Sequence, residues 1–174
     1  MHSGRCEDGS DIKNKVTIFY GLLRERGKNM DLKQIYREIV NEHNLHPGHK
    51  GDLIRPCYIR EGVNPTCGDD INLQLAIDDD GVITEASFNG SGCAVSQASA
   101  DIMLEMIEGK TKEEALELVD TFMEMVHGTA TEEQIEELEE AAALQDVAHM
   151  PARAKCATLG WHTLEKVLRE DVKA

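Results

Sequence analysis

The strongest constraint in this chain is a short alternation. Ile71, Leu73, Leu75 and Ile77 alternate with Asn72, Gln74 and Ala76. A period of two puts four large apolar side chains on one side of a strand and leaves the other side half exposed. Asp78-Asp79-Asp80-Gly81 follows. Glycine accepts positive φ there and aspartate tolerates it, so the chain is expected to turn. Val82 to Phe88 then returns as the second strand of a hairpin, and Tyr58 to Val63 is a candidate third strand. With so few strands the sheet is small and antiparallel.

The rest of the regular sequence is helical. Leu32, Ile35, Tyr36, Ile39 and Val40 share one helical face, with Asp31 as N-cap. That helix ends before Pro47, and Gly48 and Gly51 mark a loop. Asn89-Gly90-Ser91-Gly92 is expected to break the returning strand, and a helix follows from Ala94 to Ile107, stopped by Gly109. Thr111 with Glu114 forms a capping box ahead of a helix lined by Ala115, Leu118, Val119, Phe122, Met123 and Val126, with Gly128 as its stop. The methionines read as core filler. Thr131 with Gln134 forms a second box and opens a Glu-heavy helical stretch to Leu144. That stretch reads as a solvated helix face, or as an insert that docks a partner. Pro151 suits the first turn of a last helix, whose buried stripe is Ala157, Trp161, Leu164 and Leu168.

Length and charge limit what such a domain does. At 174 residues the chain fits one domain with a real core. Its 18 basic residues face 33 acidic ones, a net charge of −15. Phosphate backbones and anionic lipid both call for a concentrated basic face, so nucleic acid and membrane are not expected partners. No apolar run approaches a bilayer span, no secretory signal opens the chain, and a cytoplasmic protein is expected. Residues 1–29 lack the pattern of the rest: Met1 to Lys15 is polar and aperiodic, and Val16 to Leu23 is an isolated apolar patch. They read as an upstream extension ahead of a domain over 30–174.

Five cysteines, an odd and widely spaced set, do not make a disulfide framework; metal or thiol chemistry is the better expectation. Cys67-Gly68-Asp69 follows a turn at Asn64-Pro65-Thr66. A bend at Gly68 would bring a thiolate and a carboxylate to one side, and both are zinc ligands. Cys93 sits where Gly-Ser-Gly meets a helix N-terminus, a place whose free N–H groups favour a thiolate. Cys156 lies three residues after Arg153, so sulfur and guanidinium share a helical face. Arg153 stays charged at any working pH and suits a thiolate or persulfide anion; the neighbouring Lys155 points elsewhere. Three sulfurs and one carboxylate make a closed tetrahedral zinc set. The competing reading is that these are buried structural cysteines, which fits Cys57 and Cys6 better than the others. His43, His46 and His49 cluster at a helix end, where they bind metal or simply complement the helix dipole.

Three motifs, taken in order, resemble the IscU/SufU family: Asn64-Pro65-Thr66-Cys67-Gly68-Asp69, Gly90-Ser91-Gly92-Cys93-Ala94, and Pro151-Ala152-Arg153-Ala154-Lys155-Cys156. Tyr36 to Gly51 looks like that family's first helix and loop, and the likeness covers Met30 to Leu168. The SufU type matches better than the IscU scaffold. The histidine that IscU proteins carry before the last cysteine is Lys155 here, their Leu-Pro-Pro-Val-Lys motif is missing from Met150 to Ala154, Gly128 to His149 fits a SufU helical insert (128–149), and Arg153 matches the arginine characteristic of SufU proteins. The resemblance implies an α+β fold of three antiparallel strands packed by helices, the C-terminal one bearing a metal ligand. It implies zinc held by Cys67, Asp69, Cys93 and Cys156, and persulfide sulfur accepted on Cys67 from a SufS-type cysteine desulfurase. There, a desulfurase histidine takes a zinc position and frees Cys67, with a downstream Suf scaffold as recipient. The alternative it leaves open is an IscU-like scaffold that assembles a [2Fe–2S] cluster, or holds iron, on the same ligands.

Overall fold

The computed structural model describes residues 32–170. The expected extension at 1–29, with Cys6, and the Asp31 cap lie outside the described residues. The first helix, α1 (Leu32–Leu45), buries Tyr36, Ile39 and Val40 as its periodicity requires. Three strands follow: β1 (Tyr58–Asn64), β2 (Asp69–Ile77) and β3 (Ile83–Ser91). They form an antiparallel sheet in the order β1-β2-β3. The fold is the expected α+β arrangement.

The alternation holds from Ile71 to Leu75 and lapses at Ile77, which is half-buried beyond a register shift at Ala76/Ile77, while Gln74 on the other side is buried. Ile71, Leu73 and Leu75 are at most 1% exposed, and Ile83, Ala86 and Phe88 of β3 continue the buried face. Helix α2 (Ala94–Ile107) packs on β3. Helix α5 (Pro151–Glu170) packs on β1, β2 and α2. Between them α3 (Lys112–His127) starts at the Thr111–Glu114 capping box and ends at Gly128, as read from sequence. Phe122 of α3 stacks on Trp161 of α5 with ring centroids 4.0 Å apart. The buried indole N–H donates to Ser99 Oγ at 3.1 Å, and that hydroxyl donates to the Ala157 carbonyl at 2.7 Å. A polar group inside the core is thereby satisfied.

Two expectations need correcting. Asn89-Gly90-Ser91 does not break β3; the strand runs through it, pairing Ile71 with Gly90 and Asp70 with Ser91. Gly90 sits at φ +109, and a Cβ there would run into the Asp70 carbonyl. The glycine therefore serves a close strand contact within the ladder. The stretch after Thr131 is also not one helix. Its capping box opens α4 (Glu132–Glu137), which gives way to a 3-10 helix, Glu139–His149. Leu138, Ala141, Leu144 and Val147 are fully buried in this segment. The break falls at Glu139, whose φ is +48.

Candidate metal centre

Cys67, Asp69 and Cys93 lie at the end of a regular element or in the turn between two, and Arg153 and Cys156 lie in the first two turns of α5. Asn64 closes β1 and Asp69 opens β2, and the two are paired across the ladder. Cys67 occupies the turn between them. Gly68, at φ +69, supplies the bend that lets Cys67 and Asp69 converge. Cys93 is itself the N-cap of α2, its sulfur accepting the Ser96 N–H at 3.4 Å. Cys156 lies in the second turn of α5, its thiol donating to the Ala152 carbonyl at 3.4 Å.

These ends meet. Ligand atoms of Cys67, Asp69 and Cys156 lie within 4.8 Å of one another. Asp69 is fully buried, and its Oδ1 accepts the Cys93 N–H at 2.7 Å. The Cys93 sulfur is not within 4.8 Å of all three, but it interacts with Cys156 and lines a pocket of about 420 Å³ shared with Cys67, Cys156 and Arg153. Tyr36 and Val40 of α1 line the pocket as well. Cys156 is buried, whereas Cys67 and Cys93 are exposed. Arg153 reaches the same pocket from the turn before Cys156, as its helical spacing predicts. Cys57 stands outside the pocket, exposed, with its thiol directed at the Ile77 carbonyl 3.9 Å away.

The electrostatics favour a cation here. Burial would raise the Asp69 carboxyl, but the Cys93 N–H, with Cys156, Ser96 and Asn64, outweighs it and holds the group ionised below the usual range. Burial pushes the Cys156 thiol far up; hydrogen bonding with Cys67, Asp69 and Cys93 and a coulombic interaction with Cys93 act in the same direction. A fixed carboxylate beside crowded sulfurs is a donor set that a divalent ion completes, because the ion favours the thiolate that the bare protein opposes.

Asn64, read from sequence only as part of a turn, belongs to this site. It is buried, its amide donating to Asp69 Oδ2 at 3.3 Å and to Cys156 Sγ at 3.6 Å. Its carbonyl accepts the Thr66 N–H at 3.3 Å, and that local turn contact is the only part the sequence signals. The histidines differ from the simple helix-dipole reading. His43 is buried and bridges two carboxylates, Nδ1 to Asp101 Oδ2 and Nε2 to Glu140 Oε2, both at 2.7 Å. Asp101 also accepts the backbone N–H groups of Gly48 and His49. Glu140, one of the acids read as a solvated face, is thus tied to α1.

The fold and this corner define a small α+β domain with a cysteine-and-carboxylate metal-type site. Residues 35–170 match the family described as NifU-like N terminal domain. The chain therefore belongs to that family, which includes the IscU/SufU proteins of iron–sulfur cluster assembly. It is 40% identical over 138 residues to the zinc-dependent sulfurtransferase SufU of Bacillus subtilis, covering 79% of this chain and 92% of that one. It is also 40% identical over 149 residues to the iron–sulfur cluster assembly scaffold protein IscU of Streptococcus pyogenes, covering 82% and 88%. The crystal structure of FiSufU from Fervidobacterium islandicum AW-1 superposes with a TM-score of 0.72 at 36% identity, covering 78% of this chain and 97% of that one. Among the described residues, no helix is long and apolar enough to cross a membrane.

Proposed function

We propose that this chain is a zinc-dependent sulfur carrier of iron–sulfur cluster assembly, taking persulfide sulfur from a SufS-type cysteine desulfurase and passing it to a downstream Suf scaffold. The observation that carries this reading is the asymmetry of the site: Asp69 and Cys156 are buried, while Cys67 beside them is exposed; Cys93 is exposed too, but its sulfur is engaged in capping α2. A buried pair holds; an exposed sulfur reacts. The likeness to a zinc-dependent sulfurtransferase supports it.

Cys67, Asp69, Cys93 and Cys156 would hold the zinc, which keeps their sulfurs ionised when bound. The rest is done by this chain's own residues. Asn64 and the Cys93 N–H orient Asp69. The pocket admits a partner's cysteine to Cys67. The Cys67 thiolate attacks the outer sulfur of the desulfurase persulfide; a new S–S bond forms, the old one breaks, and the desulfurase thiolate leaves. No external oxidant or reductant is needed. Arg153, at the same pocket, neutralises the terminal sulfur anion left on Cys67.

Desulfurase turnover with and without this protein, followed by mass mapping of persulfide, tests the reading. Stimulated turnover with the added sulfur on Cys67 supports it; sulfur on Cys57, or no stimulation, refutes it. The scaffold reading draws on the equal identity to an IscU relative. A stable brown cluster passed to an apo-ferredoxin would favour it, and tightly held zinc without colour would favour sulfur transfer.

A further inference from the structure

A second group of metal-ligating side chains lies apart from the cysteines, and none of its residues belongs to the site already described. His43 on α1, Glu105 on α2 and Glu140 on the 3-10 helix present ligand atoms within 4.8 Å of one another. We infer that these three residues form a second divalent-cation site, suited to a borderline first-row ion such as zinc or cobalt.

Four observations carry this. The imidazole is pre-oriented: His43 is only 9% exposed, and its Nδ1 is fixed 2.7 Å from Asp101 Oδ2. Asp101 is buried in turn and held by the N–H groups of Gly48 and His49 at 3.2 and 2.8 Å. A ring nitrogen anchored on a fixed carboxylate, with the opposite nitrogen aimed at a ligand position, is the outer-sphere arrangement that metal-binding histidines use. Second, the opposite edge of that ring carries Nε2, which is hydrogen-bonded to Glu140 at 2.7 Å with the Glu105 carboxylate beside it. Third, the neighbourhood is over-supplied with negative charge. Asp101, Glu108 and Glu140 pair with His43 and His49, and Glu105 lies close enough to Glu140 and Asp101 to be repelled by both. Fourth, an ion has a way in, because Glu105 is exposed and Glu140 half-buried.

One imidazole and two carboxylates form a hard-to-borderline set, unlike the thiolates around Cys67. Binding replaces the proton between His43 Nε2 and Glu140 and leaves the Nδ1–H in place, donating to Asp101. Because the ligands come from three elements, a bound ion would pin the 3-10 segment to α1 and α2. That makes the site a structural clasp for the 128–149 stretch, independent of sulfur transfer.

The test uses the full chain carrying one equivalent of zinc, titrated with Co²⁺. The expected result is one further equivalent bound, with no thiolate-to-cobalt charge-transfer band and with the His43 imidazole NMR signals shifted or broadened. Glu105→Gln and Glu140→Gln should each weaken this second equivalent at least tenfold, while the first equivalent of zinc stays bound. Both substitutions keep side-chain shape at solvent-reachable positions, and the His43 signal in the unsubstituted protein gives a readout that depends on neither. Saturation at one equivalent, a second equivalent that leaves His43 unperturbed, a thiolate band in place of the His43 change, or undiminished binding in both variants would overturn the site.

Discussion

Replacing His43 with Gln probes the network that joins α1, α2 and the 3-10 helix. Burial alone would lower the His43 pKa, but hydrogen bonds to Asp101 and Glu140 outweigh it and raise it from 6.5 to about 10. The folded value is above the unfolded one. Its stabilising contribution is therefore complete below about pH 6.5 and is lost as pH rises through about 10. Each pKa unit is worth about 1.4 kcal/mol, which sets an upper bound near 5 kcal/mol. Breaking one partner of a buried charged group costs about 3–5 kcal/mol, so the lower end of that range is the working figure. His43→Gln is expected to destabilise the zinc-loaded chain by about 3 kcal/mol near pH 6.5 and by less than about 1 kcal/mol near pH 9.5. Urea unfolding followed by Trp161 fluorescence measures this, since the chain has a single tryptophan and it is fully buried. Zinc is held at one equivalent, at the cysteine site in both proteins, and cancels in the difference. A penalty under about 1 kcal/mol near pH 6.5, or one that does not shrink with rising pH, would refute the reasoning.

Three other outcomes follow from the same contacts. Asp69→Ala removes a proposed ligand and the acceptor for Cys93 N–H and Asn64, so zinc affinity should fall by at least about 100-fold in a chelator competition assay; unchanged affinity would remove Asp69 from the ligand set. Arg153→Ala should slow persulfide transfer to Cys67 by roughly tenfold, about 1.4 kcal/mol, with zinc content unaltered; normal single-turnover transfer would defeat that role. Gly90→Ala forces a side chain against the Asp70 carbonyl at φ +109, and should cost about 2–3 kcal/mol in denaturant unfolding; a neutral effect would show that β3 pairs differently at its end.

Much of the fold was legible because its signals are local. The alternation from Ile71 to Leu75 and the two capping boxes each depend on residues within a few positions of one another, and the structure keeps them. The errors arose where tertiary contacts override local chemistry. Gly90 looks like a strand breaker until the Asp70 backbone is brought against it. The Glu-rich run looks like one helix until Leu138, Ala141, Leu144 and Val147 must all be buried, which an unbroken solvated helix does not arrange. At the site, residue identities and motif order pointed to Cys67, Asp69, Cys93 and Cys156. The Asn64–Cys156 contact and the His43–Asp101 pair are not legible in the sequence because the partners stand 92 and 58 residues apart, and no spacing rule links residues so remote.

The central claim is that three sulfurs and one carboxylate gather around a single zinc ion. X-ray absorption at the zinc edge of the chain carrying one equivalent of zinc tests it most directly. The account predicts a shell of three sulfur scatterers at about 2.3 Å with one oxygen at about 2.0–2.2 Å. A shell of nitrogen and oxygen alone, with no sulfur at bonding distance, would contradict it.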